Sequence, residues 1–169
     1  DYTPGLFRIK LNQFDSAKKE QIHTTLCKQL ALYVTMYSPL QMAADLPETY
    51  QKHLDAFQFI KDVALDWDDT KVLEAEPGDY ITYARKAKGT NNWFVGRTND
   101  EEPRTSKISF DFLDPDKSYN ATIYSDAPDA HYRNNPKAYS IRTITINSTS
   151  TLDQWCAPGG GYAVSIIQK

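Results

Sequence analysis

The apolar residues of this chain change period once, and the change divides it in two. Ile22, Leu26, Leu30, Val34 and Tyr37 recur at spacings of three and four, which is one stripe of an α-helix. Leu32 and Tyr33 widen the stripe, so the spacing predicts a helix over 22–37 that packs against a larger body. Ser38-Pro39 ends it, because the residue before proline avoids the α region. Shorter helical stretches are predicted over 40–45 and 47–59, with Pro47 placed as a first-turn residue.

Beyond "DVALDWDDT" the period becomes two. The stretches "DYITYARKA", "NNWFVGRTN", "TSKISFDFL", "SYNATIYSD", "AYSIRTITIN" and "GGYAVSIIQ" are β-branched and aromatic runs bounded by Gly, Pro, Asn and Asp, as in an antiparallel all-β domain. Ile108, Phe110 and Phe112 alternate with Ser109 and Asp111, and Tyr162, Val164 and Ile166 with Ala163, Ser165 and Ile167. That alternation predicts one buried face and one wetter face. The expected fold is therefore mixed: a loop-and-helix part over 1–65 and an antiparallel β-sandwich over 66–169 with its own core. The helical part has no partner of its own to close a core. Its stripe must pack on the β domain, on a second copy in a homodimer, or on something outside this chain.

Composition narrows the function classes. Lys and Arg number 19 against 22 Asp and Glu, with a net charge of -3 and the basic residues scattered, which gives no basic stripe for nucleic acid. No apolar run reaches the ~18 residues of a membrane-crossing helix. Two cysteines, Cys27 and Cys156, are too few for a disulfide framework, although a single bridge stays open.

Several residue groups invite chemistry, and each has a plainer reading. His23 and Cys27 stand four apart on the predicted helix, where side chains meet; two ligands do not make a zinc site, and a buried thiol beside a hydrogen-bonded His is the simpler account. Asp66, Asp68 and Asp69, and Asp114 in "DPDKSYN", suggest calcium, but an EF-hand loop needs Gly at its sixth position and Glu at its twelfth. Those positions hold Lys71 and Pro77, and Tyr119 and Ser125. Turn carboxylates fit better. "PGGGY" leads into a strand rather than a helix, the wrong order for a phosphate cradle and the right one for a tight turn or close backbone approach. Trp67, Trp93 and Trp155, with the tyrosines, could form sugar platforms, yet Trp93 shares a strand face with Val95, as core aromatics do.

The opening "DYTPG" has turn chemistry and suggests a preceding element from which to turn. Together with "TTLCKQLALYVTMYSPLQMAADLPETY", "FIKDV", "WDDTKVL", "GDYITYARK", "NWFVGRTN", "PRTSKISFDFLDP", "YNATIYSD" and "APGGGYAV" in this order, it resembles the carboxy-terminal end of glycoside hydrolase family 97, α-glucosidases and α-galactosidases of Bacteroides-type bacteria. The resemblance implies an enzyme of three parts: an amino-terminal β-sandwich, a (β/α)8 barrel and a carboxy-terminal β domain. Residues 1–65 would be the last loop and helices of that barrel. Asp1 and Tyr2 would then lie near the sugar-binding face, as substrate-shaping groups or as a loop whose Pro and Gly set its path. The catalytic carboxylates, and the glutamates that hold calcium, would lie upstream of this chain, so the chain alone is expected to be inactive. Its partners would be the amino-terminal sandwich and barrel, with oligosaccharide met only through them, and its address periplasmic or cell-surface. The rival reading is a glycan-binding β module acting through exposed aromatics.

Overall fold

The computed structural model describes residues 1–10, 12, 17 and 19–169. Among these residues three α-helices, α1 (Leu26–Thr35), α2 (Pro47–Tyr50) and α3 (Leu54–Asp62), the last two joined by a 3-10 turn over Gln51–His53, precede eight strands: β1 (Trp67–Glu76), β2 (Tyr80–Ala87), β3 (Trp93–Asn99), β4 (Arg104–Ser109), β5 (Tyr119–Asp126), β6 (Tyr139–Ile146), β7 (Thr151–Cys156) and β8 (Gly161–Gln168). The large sheet runs β1-β2-β3-β8-β5-β6 and the small one pairs β4 with β7. Every strand pair is antiparallel.

The predicted helix over 22–37 is shorter at both ends. Thr25 is extended and caps α1, its side chain accepting from the Lys28 N–H at 3.2 Å, which satisfies one of the free donors of a first turn. Ile22 instead donates its backbone N–H to Ile9. At the far end Met36 turns extended. The last carbonyls are met by side chains, Arg85 Nε reaching Val34 O at 2.7 Å and Gln41 Nε2 reaching Tyr33 O and Met36 O at 3.2 Å. The helix expected over 40–45 is absent. Leu40 O and the Met42 N–H bond to the backbone of Tyr2, and Tyr2 bridges Gln41 in parallel, so these residues extend beside the amino-terminal segment rather than coil.

Two strands, β1 and β7, arise where no alternation was apparent. In β1 the register shifts between Trp67 and Asp69 and again between Val72 and Glu74, and such bulges break the period of two. In β7 the inward positions are Leu152, Gln154 and Cys156, with a polar residue in the middle.

The expectation of one wet face fails for β8. It lies between β3 and β5, and Gly161 through Ile166 are all buried, because both faces of the large sheet are covered there. On one side Tyr162, Val164 and Ile166 join Trp93, Val95, Ile108, Phe110 and Ile123 in a core closed by the small sheet. On the other, Phe94, Tyr124 and Ala163 meet Leu26, Leu30, Val34, Phe59 and Phe7. Helix α1 sits so close to β3 that a Cβ on Gly96 would fall 2.7 Å from Ala31 O and 2.8 Å from Val34 Cβ. The orphan stripe thus folds back onto the β domain. Residues 1–65 and the strands share this second core.

The two sheets are joined by a buried charge. Arg97, 1% exposed, donates to Glu74 Oε2 at 2.6 Å, to Thr82 Oγ1 at 3.1 Å and to Asn99 Oδ1 at 3.0 Å, and lies 4.2 Å from the Tyr80 ring centroid. Glu74 in turn accepts from Ser106 Oγ at 2.5 Å and the Lys107 N–H at 3.1 Å, and Ser106 meets Tyr162 OH at 2.8 Å. This polar network ties strands β1, β2 and β3 to β4 and β8 alongside the apolar core between the sheets.

Leu30→Ala, which empties a fully buried site under α1, is expected to cost about 2–5 kcal/mol in urea unfolding. A change near zero would mean that the helix does not pack on the sheet. Arg97→Ala leaves the Glu74 carboxylate without its partner and is expected to cost about 3–5 kcal/mol, whereas a neutral outcome would show that water replaces the guanidinium.

Candidate functional site

The amino-terminal segment holding Asp1 and Tyr2 is fixed by the helices. Gly5 and Leu6 donate backbone N–H groups to Gln29 Oε1, each at 3.1 Å, and Tyr50 OH donates to Gly5 O at 2.8 Å. Arg8 donates its N–H to Asp45 Oδ2 at 2.5 Å. Asp1 is exposed and Tyr2 half-buried, burial raising the phenol's pKa.

His23 and Cys27 do not meet. His23 lies before the start of α1 and packs its ring on Tyr132 at 5.3 Å between centroids, while Cys27 points into the protein. Both cysteines are buried free thiols, and burial first, then the nearby Asp126, pushes each thiol up, the state of an unreactive cysteine. The acidic clusters are occupied locally: Asp66 pairs with Lys88 at 2.7 Å, Asp69 with Lys71 at 2.9 Å, and Asp68 accepts from the Gly89 N–H at 2.8 Å. Asp114 accepts from the Asp116 N–H at 3.0 Å. Trp93 is core, Trp67 sits against Phe94 on the opposite face of the sheet at 5.9 Å, and Trp155 is half-buried beside a groove of about 550 Å³ with Arg142, Gln154 and the Ser125–Ser140 pair. Those polar groups bond one another, Arg142 Nη2 to Gln154 Oε1 at 2.7 Å and Ser125 Oγ to Ser140 Oγ at 3.2 Å.

One buried carboxyl was passed over by sequence reasoning. Asp126 ends β5 and is 3% exposed. Its Oδ2 accepts from Ala157 N–H at 3.0 Å and Gly161 N–H at 2.8 Å, gathering the glycine turn around itself. A Cβ on Gly160 would fall 2.0 Å from that oxygen, which is why the middle residue of the "GGG" run is glycine: a carboxylate occupies the hollow. The same turn receives the start of α1, since Thr25 N–H bonds Gly159 O at 3.1 Å, while Leu26 N–H bonds Pro136 O of the β5–β6 connection at 2.8 Å. Desolvation raises the Asp126 pKa to about 6, outweighing the turn N–H groups and the neighbouring Thr25 hydroxyl and Cys27 thiol that favour the charge. Oδ1 finds no hydrogen bond of ordinary geometry among the described residues. The signal available in the sequence was the glycine run itself, which marks close approach without naming the approaching group.

A carboxyl raised from its ordinary 3.8 to about 6 contributes stability that is complete below the lower value and is lost as pH rises through the upper one. The Tm difference between the parent chain and Asp126→Asn should therefore move in the variant's favour from pH 4 to pH 7, by on the order of 3 kcal/mol in stability. Parallel profiles would show that Asp126 ionises freely in the folded chain.

The sequence model of one family, described as glycosyl-hydrolase 97 C-terminal, oligomerisation, matches residues 66–167. A retaining alpha-galactosidase of Bacteroides thetaiotaomicron is 36% identical over 168 residues, 98% of this chain and 25% of that protein. A probable retaining alpha-galactosidase of Streptomyces bingchenggensis is 30% identical over 108 residues, 64% of this chain and 15% of that protein. Among solved structures, a family 97 enzyme of Pseudoalteromonas sp. strain K8 in complex with panose superposes with a TM-score of 0.92 at 41% identity, over 98% of this chain and 26% of that one. The chain thus spans about a quarter of the length of these fuller relatives.

Proposed function

This chain belongs to glycoside hydrolase family 97, and from that premise we propose that it is the non-catalytic carboxy-terminal portion of an α-glycosidase acting on α-galactosidic or α-glucosidic linkages. The observation that carries this is identity running through nearly the whole chain while covering only a quarter of a retaining alpha-galactosidase. On this reading residues 1–65 complete the enzyme's barrel, with Asp1 and Tyr2 near its sugar site, and the β domain steadies that barrel and assembles copies. Calcium and the reacting carboxylates belong to the parts outside this chain, and the whole works in the periplasm or at the cell surface.

The shared second core favours support over an independent glycan module. Helix α1 is held at its start by the turn over Asp126 and at its end by Arg85, so the strands fix a helix that precedes them. The rival module reading would use a pair of exposed coplanar aromatics, whereas Trp93 and Trp67 sit on opposite faces of one sheet, packed on Phe112 and Phe94.

Chromogenic α-galactosides and α-glucosides incubated with the purified 169-residue chain are expected to show no turnover above buffer, and the full-length relative-sized protein to hydrolyse at least one of them. Activity that co-purifies with the short chain would overturn the assignment of the reacting groups to the other parts.

A further inference from the structure

Among the described residues the large sheet ends in β1 on one side and β6 on the other, and these edges are built differently. Strand β1 carries two register shifts and the charges Asp68, Asp69, Lys71, Glu74 and Glu76, devices that keep an edge from pairing with another chain. Strand β6, "YSIRTITI", has no Pro and no Gly, keeps an unbroken register with β5 from Tyr139 to Ile146, and bears one charge, Arg142, whose guanidinium is tied to Gln154. It is a regular, β-branched edge with almost none of the usual protection. It also lies within residues 66–167, the part matched by a family description that includes oligomerisation.

We propose that β6 is the surface through which two copies of this chain associate, strand to strand about a two-fold axis at Thr143; this rests on the reading of the β domain as an assembling one. The register follows from side-chain facing. In an antiparallel sheet, directly opposed residues project from the same face, so a two-fold axis normal to the sheet must pass through a residue rather than between two. The strand's midpoint falls between Arg142 and Thr143. An axis at Arg142 would set two guanidinium groups directly opposite, which is destabilising. An axis at Thr143 sets Thr143 against its own copy, Arg142 against Ile144, and Ile141 against Thr145. Thr143 Oγ1 already meets Thr122 Oγ1 at 3.1 Å on the exposed face of the sheet, so the contact extends a hydroxyl ladder from β5 across the axis. The contact is isologous and closes at two copies. One strand pair is small for an interface, and the dimer of the short chain is accordingly concentration-dependent.

The test is sedimentation equilibrium of the 169-residue chain from micromolar to millimolar concentration, with three variants. The parent chain is expected to pass from monomer to dimer. Thr143→Glu, at an exposed position where each new carboxylate would face its own copy, is expected to remain monomeric with its Tm unchanged. Thr143→Cys is expected to form a disulfide-linked dimer on mild oxidation, and Val72→Cys, 59% exposed on the opposite edge, is not. A dimer that survives Thr143→Glu, or a crosslink at Val72→Cys but not at Thr143→Cys, would overturn the β6 interface while leaving assembly by another surface in place. A parent chain that stays monomeric throughout would overturn assembly by this domain as well.

Discussion

The arrangement of the strands depends on one buried ion pair. Arg97 on the inner face of β3 and Glu74 beside the second bulge of β1 meet at 2.6 Å, and their further bonds reach β2 through Thr82 and β4 through Ser106 and Lys107. A charge taken out of water is tolerated only when it is paired and its remaining donors are met. Thr82, Asn99, Ser106 and the Tyr80 ring supply those contacts, which obliges β1, β2 and β4 to keep one geometry around β3. The bulge between Val72 and Glu74 has its reason here, since it turns Glu74 inward to face the guanidinium. An apolar core alone would accept several ways of laying the small sheet across the large one; this network accepts one.

What could be read from the pattern of the chain was what simple burial decides. The runs that became β2, β3, β4, β5, β6 and β8 are rich in β-branched and aromatic residues because one or both faces lie against apolar neighbours, and the helical stripe from Leu26 to Val34 is continuous for the same reason. What could not be read was polar. Strand β1 hides its period behind bulges that serve Glu74, and β7 behind the buried Gln154. Arg97 stands at the position on its strand where Trp93 and Val95 predict another apolar side chain, and a charge at such a place signals a partner without saying where it is. Asp126 is quieter still, because an Asp before Ala-Pro reads as a turn. His23 and Cys27 were separated by the extended cap at Thr25, a matter of a few residues at a helix end, where local spacing is least dependable.

Membership of family 97 and the fold also constrain each other. A comparison spanning nearly the whole chain includes the helices as well as the strands, and the second core shows why the two would be kept together: Phe94, Tyr124 and Ala163 share one buried cluster with Leu30, Val34 and Phe59. The boundary at residue 66 marks a change of secondary structure and the start of the family match. It is not a boundary between separate cores.

Helix α1 is gripped at both ends by the sheet it lies on, its first N–H groups by Gly159 and Pro136 and its last carbonyls in part by Arg85. Between them Gly96 lets the helix backbone rest almost directly on a strand. A rod clamped at two points and seated along its length cannot roll, slide or tilt by itself. Mechanically it belongs to the sheet, and a load applied at the exposed Met36, Tyr37 and Leu40 just beyond its end would be carried into the strands by a stiff coupling, so that displacement at that surface turns the β domain as one piece.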